Sequence, residues 1–574
     1  MEKGIVEKAK EWLGSSYDET TRAEVLRLIE GEPALLEDSF YKNLEFGTGG
    51  LRGVMGAGTN RMNRYTVGMV TQGLAGYVLK TYPGPHKAAI AYDCRNQSPD
   101  FAMITARVLA ANGFTVYLYD ALRPTPQLSF TVRNLNCHIG VMITASHNPK
   151  EYNGYKVYGD DGAQVVAPCD ARIIAEVRKI TSPAQVLFSG GKGKIVTLGE
   201  EMDNLYLDAI LSLINLSPEA VRKHRDMKMV YTPLHGTGVR LVPKAFAKMG
   251  FTNLLNVPEQ DVTDGNFPTV ESPNPEDPAA LKMAIGKALE TGAALVMATD
   301  PDGDRVGIAV RNTAGDIQLL NGNQTASLLT FYLLEKWHET KRLQGKEYIV
   351  KTIVTSDLLQ SVARHYGVEC YNVLTGFKYI AEVIRRNEGE KVFICGGEES
   401  YGFNVGAYVR DKDAVVTCLL AAEVACWAAS RGLTMYDLLK EMYVRFGFFK
   451  ERMVSRTLKG KDGMQQMVAT MNRFRENPPG ELLGSPVLLI HDYRKGETVD
   501  MISELRYKIN LPASDVIQFV CADNTVVTIR PSGTEPKIKY YFGVRTQLDR
   551  IEDYDVTDRI LEDKLTELNG LFQK

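Results

Sequence analysis

The sequence predicts an α/β protein: three similar α/β domains followed by a C-terminal α+β domain, gathered around a central cleft. Three observations carry this. The chain has 574 residues, well beyond the roughly 250–300 at which a single hydrophobic core stops growing. Short apolar or β-branched runs alternate with helical stretches in three successive rounds, the rhythm of parallel strands joined by crossover helices. Near residue 456 the rhythm changes to a helix, several strands and a closing helix, the order of an α+β domain.

The elements follow in chain order. The first 45 residues read as a helical extension packed on the first domain. The first round runs "KAAIAYDCR", "SPDFAMITARVLAANG", "FTVYLYDAL" and "CHIGVMITAS". The second runs from "MKMVYTPLHGTG" through "VRLVPKAFAKMG" and "FTNLLNV" to "PAALKMAIGKALETG" and "AALVMATD". The third comprises "EYIVKTIVTSDLLQSVARHYG", "VECYNVL", "FKYIAEVIRRNEG" and "KVFICGGEES". The last domain opens on the helical "DGMQQMVATMNRFREN" and closes on "DYDVTDRILEDKLTELNGLF". Gly- and Pro-bearing junctions near 198–202, 320–324 and 456–462 divide the chain into 1–200, 201–322, 323–455 and 456–574.

Composition narrows the function. Hydrophobic residues make up 44%, charged residues 24%, and the net charge is -3. That balance gives no reason to expect nucleic acid or an anionic membrane as a partner. The eight cysteines form no C-x-x-C pair, which reads as reduced thiols in a cytoplasmic protein. The charged N-terminus lacks the apolar stretch of a signal peptide. The longest apolar helix, "AVVTCLLAAEVACWAA", is interrupted by Glu423 and reads as a core helix, short of the roughly 18 apolar residues of a membrane span.

Four short segments ask for chemistry. In "TASHNP", Ser146 and His147 stand where a strand stops. A hydrolase elbow would read G-x-S-x-G, but Thr144 and Asn148 occupy the glycine positions. Adjacent side chains at a strand end point different ways, which argues against a serine–histidine relay. This loop alone fits a nucleophile or a plain Asn-Pro turn equally. In "ATDPDGDRVGI", Asp300, Asp302 and Asp304 alternate after a strand, a spacing that can aim three carboxylates at one point. Such carboxylates repel unless a cation neutralises them, and an all-oxygen set suits Mg²⁺. An EF-hand would need Gly and Glu where Arg305 and Arg311 stand. Arg305 would suit a phosphate at the metal. In "CGGEESYG", Glu398 and Ser400 can grip sugar hydroxyls. In "IRPSGTEPKIKYYF", Arg530, Ser532, Gly533 and Thr534 make a phosphate cradle. Together the four segments point to phosphoryl transfer onto a sugar in a cleft where domains meet.

These segments resemble the α-D-phosphohexomutase family. "TASHNP" looks like its phosphoserine loop, "DPDGDR" its magnesium loop, "GEES" its sugar loop and "RPSGTEP" its phosphate loop, in the family's order. "FGTGGLRG", "NGYKVY", "TPLHGTG", "DGNFPTVESPNPE" and "LTGFK" match as well. The resemblance implies a four-domain enzyme in which phospho-Ser146 phosphorylates a sugar phosphate. The bisphosphorylated sugar turns round and returns its other phosphate, and the same compound acts as activator. It implies Mg²⁺ held by Ser146, Asp300, Asp302 and Asp304. Arg52 and Arg305 flank the phosphoserine, and His147, Lys156 and Lys378 line the catalytic centre. Thr375, Gly376, Glu398 and Ser400 hold the sugar, and Arg530, Ser532, Gly533 and Thr534 hold the second phosphate. The partner is a small phosphosugar, and the chain is a monomer or homodimer. GEES favours glucose. "FGTGGLRG" and "VRDKDAV" look like the branch that includes phosphopentomutases and phosphomannomutases, so mannose and ribose 1-phosphates stay open.

Overall fold

Parallel strands buried on both faces read as unbroken apolar runs, and the first domain is built on several. In the computed structural model, which describes residues 3–47, 50–458, 463–532 and 537–572, Ile139–Ile143 is buried at every position. It pairs in parallel with Lys87–Tyr92, which pairs with Thr115–Tyr119, which pairs with Lys194–Leu198. On the other side Tyr152–Tyr158 and Gly50–Val54 add antiparallel strands to complete six. The helices Ser98–Ala111 and Thr125–Asn134 pack on this sheet. The N-terminal extension is helical as expected: Lys3–Glu11, Glu19–Gly31 and Pro33–Phe40 enclose a small core of Trp12, Phe40 and Tyr65.

The second round forms a five-stranded sheet in the order Ile317–Leu320, Val306–Arg311, Leu295–Thr299, Met229–Thr232, Leu254–Asn256. The expected core helix, Ala414–Ser430, packs against this sheet and against Gly238–Met249, buried along nearly its whole length. Its one charged residue, Glu423, is buried and accepts from the backbone N–H groups of Asn215 and Ser217 at 2.9 and 2.6 Å. A buried carboxylate is tolerated when its oxygens are so paired.

The third round supplies three parallel strands in the order Glu369–Val373, Glu347–Thr352, Val392–Gly397, with the helices Gly322–Glu339 and Leu358–His365 packed beside them. The C-terminal region is β-rich. An antiparallel sheet runs Phe448–Thr457, Lys537–Thr546, Val526–Pro531, Ile517–Cys521, Ser485–Asp492, Glu497–Asp500, Arg506–Lys508. Gly463–Glu476 and Tyr554–Leu571, the two helices expected here, pack on it. The fold is therefore three α/β/α domains plus a β-rich C-terminal domain.

By contacts the chain forms two compact units. One comprises residues up to Leu320 with Ala381–Gly389 and Tyr401–Gly432. The other comprises Asn321–Ile380, Glu390–Ser400 and the chain from Leu433 onward. All eight cysteines are free thiols. Among the described residues no single helix is long and apolar enough to cross a membrane.

Candidate active site

Ser146 lies in the first unit, just beyond the buried strand Ile139–Ile143, and is itself buried. Its φ is +53°, a left-handed conformation costly for a residue with a Cβ and stable only where the surroundings over-determine it. They do. Thr144 Oγ1 accepts from the Ser146 N–H at 2.8 Å and donates to the buried Asp93 at 2.6 Å. The buried guanidinium of Arg95 donates to the carbonyls of Ser146 (2.7 Å), Pro149 and Tyr152 (2.9 Å each), and also to that of Asn148. The loop's carbonyls thus converge on one fixed cation.

The left-handed turn has a consequence that strand geometry did not anticipate. It places Ser146 Oγ 3.2 Å from Nδ1 of the adjacent His147. The expectation that neighbouring side chains diverge fails here because the residue has left the β region. Burial, and then the cations Arg305 and Arg52, push the His147 imidazole well below its ordinary pKa, so the ring is neutral.

Ser146 Oγ donates to Asp300 Oδ2 at 2.8 Å. Asp300, Asp302 and Asp304 are all buried, and each offers an oxygen within 4.8 Å of the others'. Asp300 Oδ1 accepts from the N–H groups of Asp304 and Arg305 at 3.1 and 3.0 Å. Asp302 Oδ2 accepts from Lys156 Nζ at 2.7 Å and Thr125 Oγ1 at 3.1 Å. Asp304 Oδ2 lies 3.1 Å from Lys412 Nζ and 3.6 Å from Lys156 Nζ. Among the described residues, Oδ1 of Asp302 and Oδ1 of Asp304 are buried without a hydrogen-bond partner. An all-oxygen nest with two unsatisfied carboxylate oxygens fits a hard divalent cation such as Mg²⁺.

The electrostatics agree. Burial, then Asp302 and Asp304, push the Asp300 carboxyl well above the ordinary carboxylate range. Burial opposes ionisation of Asp302 too, but Lys156 and Lys412 outweigh it and hold that carboxyl well below the range. Burial likewise opposes the Lys156 ammonium, and Asp302 and Asp304 outweigh it in turn.

The carboxylate loop is gripped from several sides. Thr125 N donates to Asp302 O at 2.9 Å, Thr237 N to Pro301 O at 2.9 Å, and Ala414 N to Gly303 O at 3.2 Å. Gly303 has φ +65°, and a Cβ there would lie 2.8 Å from Pro124 Cβ. The Thr237 segment is fixed in turn by His235 (φ +65°), whose ring nitrogens meet Val262 O at 2.7 Å and Thr269 Oγ1 at 2.8 Å.

The remaining expected residues fall in two groups. In the first unit, Arg52 donates to Asn148 Oδ1 at 3.1 Å, and Arg305 pairs with Glu276 at 2.5 Å. In the second unit, Glu398 Oε1 accepts from Gly376 N at 2.9 Å, which joins the "LTGFK" and "GEES" segments. Thr375 is adjacent, its buried Oγ1 without a hydrogen-bond partner among the described residues. Ser400 follows Glu398 and Glu399, and Glu399 accepts from Thr352 and Thr355 at 3.1 and 3.3 Å. Lys378 lies in the first turn of Phe377–Arg386, its Nζ 5.3 Å from the Tyr379 ring centroid. Arg530 stands opposite Lys539 in the antiparallel sheet, and burial pushes the Glu399 carboxyl above its ordinary value against the opposing pull of both cations. Ser532 N donates to Lys537 O at 2.7 Å. Gly533 and Thr534 lie outside the described residues.

Sequence reasoning missed three groups here. Lys412 is the second ammonium at the carboxylates; Asp411 Oδ1 holds it at 3.0 Å and Asp411 Oδ2 accepts from Tyr158 at 2.8 Å. The signal was available as a charged triplet, Asp411-Lys412-Asp413, before the most apolar helix. Arg95 and Thr125 carried no comparable signal.

Comparisons with known proteins place the chain in a family. Family models described as phosphoglucomutase/phosphomannomutase α/β/α domains I, II and III match residues 43–184, 204–315 and 321–446. A phosphoglucomutase of Staphylococcus aureus (strain USA300) is 39% identical over 511 residues, covering 88% of this chain and 91% of the relative. Its counterpart in strain MRSA252 is 38% identical over the same span. Among solved structures, the open form of the Paramecium phosphoglucomutase parafusin has TM-score 0.66 at 16% identity, covering 92% of this chain and 95% of that one. A phosphoglucomutase/phosphomannomutase family protein from Burkholderia thailandensis has TM-score 0.65 at 19% identity, covering 90% and 97%.

Proposed function

Because the chain belongs to the α-D-phosphohexomutase superfamily and is a phosphohexomutase enzyme, we propose that it interconverts hexose 1-phosphate and hexose 6-phosphate with Ser146 as phosphate carrier. Glucose is the favoured sugar, mannose the next. The observation that carries this reading is the buried Ser146 hydroxyl, 2.8 Å from Asp300 within a nest of three carboxylates and two ammonium groups. An acyl-transfer serine has no use for such a nest; a phosphoserine beside a divalent cation does.

In the proposed cycle, the 6-hydroxyl of a hexose 1-phosphate attacks phospho-Ser146. The new O–P bond forms as the P–Oγ bond breaks, and Ser146 Oγ leaves with a proton. The bisphosphorylated sugar reorients, returns its 1-phosphate to Ser146, and departs as hexose 6-phosphate; free bisphosphate re-primes any enzyme that has lost its phosphate. Asp300, Asp302, Asp304 and an oxygen on Ser146 would hold Mg²⁺, which when bound spreads the charge on the transferring group. Lys156, Lys412 and the neutral His147 are the groups positioned to take or give a proton at the sugar oxygen and at Oγ. Arg52, Arg305 and Lys378 would meet phosphate oxygens. Thr375, Gly376, Glu398 and Ser400 would hold the sugar, and Arg530, Ser532, Gly533 and Thr534 the phosphate at rest. We assign these parts to the segments 1–200, 201–322, 323–455 and 456–574, one loop each. A cytoplasmic monomer or homodimer acting on a small phosphosugar, with no nucleic acid or membrane, fits this reading.

The competing substrate is a pentose phosphate, favoured by "VRDKDAV", the segment that places Lys412 at Asp304. One experiment tests both. The kcat/KM values for glucose, mannose, glucosamine and ribose 1-phosphates, measured with a bisphosphate activator and Mg²⁺, should rank glucose first. The variant Ser146→Ala should lose activity on all of them. Wild-type turnover by Ser146→Ala refutes the carrier role; a clear preference for ribose makes the enzyme a pentomutase.

A further inference from the structure

We propose that Thr125 is a positioning residue for Asp302, fixing which of its carboxylate oxygens is presented to the cation. The inference rests on the reading of the Asp300–Asp302–Asp304 nest as a Mg²⁺ site. Thr125 is fully buried at the first position of the helix Thr125–Asn134. It contacts Asp302 twice: its N–H donates to Asp302 O at 2.9 Å and its hydroxyl to Asp302 Oδ2 at 3.1 Å. Lys156 Nζ donates to the same Oδ2 at 2.7 Å. One carboxylate oxygen therefore has two donors while the other, Oδ1, is buried and has no hydrogen-bond partner among the described residues. A carboxylate tied through one oxygen cannot rotate freely, so its free oxygen points in one direction. Partners of this kind, one step removed from the ligand atom, tune metal affinity by about 10- to 100-fold.

Thr125 can impose a direction because it is itself held. Arg123, two residues before it, is buried and forms a two-pronged pair with Asp203, Nε at 2.7 Å and Nη2 at 3.0 Å. Gln127, two residues after it, donates to the same Asp203 at 2.7 Å. The turn carrying Thr125 is thus clamped on both sides to a buried carboxylate that makes no contact with the nest. Pro124 closes against Gly303 of the carboxylate loop, which leaves no room for the two loops to slide. The β-branched side chain has few rotamers to choose from, so its hydroxyl stays aimed at Oδ2. Packing alone would be served as well by valine; what threonine adds is a hydroxyl that joins Lys156 in holding Oδ2.

The test titrates the full-length protein with Mn²⁺, followed by electron paramagnetic resonance with Mg²⁺ as competitor, alongside kcat/KM and thermal melting. Wild type should bind one Mn²⁺ that Mg²⁺ displaces and that Asp302→Asn abolishes. Thr125→Val, which keeps the shape and removes the hydroxyl, should weaken Mn²⁺ by at least about tenfold with its melting temperature little changed. Thr125→Ser, which keeps the hydroxyl, should bind Mn²⁺ like wild type. Where Thr125→Val gives no folded protein, Thr125→Ala takes its place against Thr125→Ser. Wild-type Mn²⁺ affinity in the hydroxyl-free variant, or equal weakening in Thr125→Ser, overturns the proposal and leaves the metal site standing. Absence of competed Mn²⁺ binding in wild type overturns the metal reading, and the proposal with it.

Discussion

A methyl group added at Gly236 probes how the carboxylate loop is held. Gly236 lies in "TPLHGTG" and does not need glycine for its φ. Its demand is for space: a Cβ there would lie 2.4 Å from Pro301 Cα and 2.8 Å from Pro301 O. Both are backbone atoms, so no rotamer change relieves the clash. Ordinary contact begins near 3.4 Å, so Pro301 or the Gly236 segment must move by about 1 Å. The segment cannot easily yield, because both ring nitrogens of His235 are engaged and Thr237 N is bonded to Pro301 O. The displacement therefore passes into the loop that carries Asp300 and Asp302 on either side of Pro301. Overpacking of this size costs about 1–3 kcal/mol of stability, and a misplacement of about 1 Å costs about 100-fold in rate. The assay is steady-state interconversion of glucose phosphates at saturating Mg²⁺, with thermal melting in parallel. Gly286→Ala is the control: it sits in the helix Lys282–Thr291 with nothing within 4 Å of the added Cβ. It should keep full activity and gain up to about 1 kcal/mol. A folded Gly236→Ala enzyme with wild-type kcat/KM refutes the view that the HGTG segment braces the carboxylates.

Two further outcomes are expected. Lys412→Met removes the 3.1 Å partner of Asp304 and leaves the more distant Lys156, at 3.6 Å, and Arg305, at 3.9 Å; kcat should fall about 10²- to 10⁴-fold, and an unchanged kcat removes Lys412 from the machinery. Glu451 is half-buried, and desolvation pushes its carboxyl up to about 7, above its ordinary 4.5, with Asp357 adding to the rise and the Ser356 hydrogen bond and Lys351 opposing it. A carboxyl raised on folding stabilises the fold while protonated, and that contribution is lost as pH rises through about 7. Melting temperatures of the wild type should therefore fall relative to Glu451→Gln between about pH 5 and pH 8; parallel curves refute the shift.

The fold was legible where burial dictates letters. Ile139–Ile143 and Leu295–Thr299 are covered on both faces, so every position is apolar or small and the strand announces itself. The carboxylate loop was legible for the opposite reason: three aspartates after a buried strand are too costly to be accidental. Lys412 was not, because one lysine among 67 basic residues declares nothing until the fold sets it beside Asp304. The Ser146–His147 contact was misjudged because no letter marks a non-glycine residue at positive φ. Arg95 and Thr125 act through backbone carbonyls and one carboxylate oxygen, interactions that leave no pattern in a single chain.

The distribution of support follows the tolerance of the chemistry. In-line phosphoryl transfer fails with small errors at the reacting atoms, and there nearly every bond comes from backbone or buried charge. Arg95 takes four carbonyls of the serine loop, Thr144 takes the Ser146 N–H, and three backbone N–H groups from separate segments seize the carboxylate loop. The left-handed serine is stable only inside that cage. In the second unit Glu398 Oε1 accepts from Gly376 N, and among the described residues the buried Thr375 hydroxyl has no hydrogen-bond partner. Rigidity at Ser146 is what transfer through the proposed phosphoserine requires.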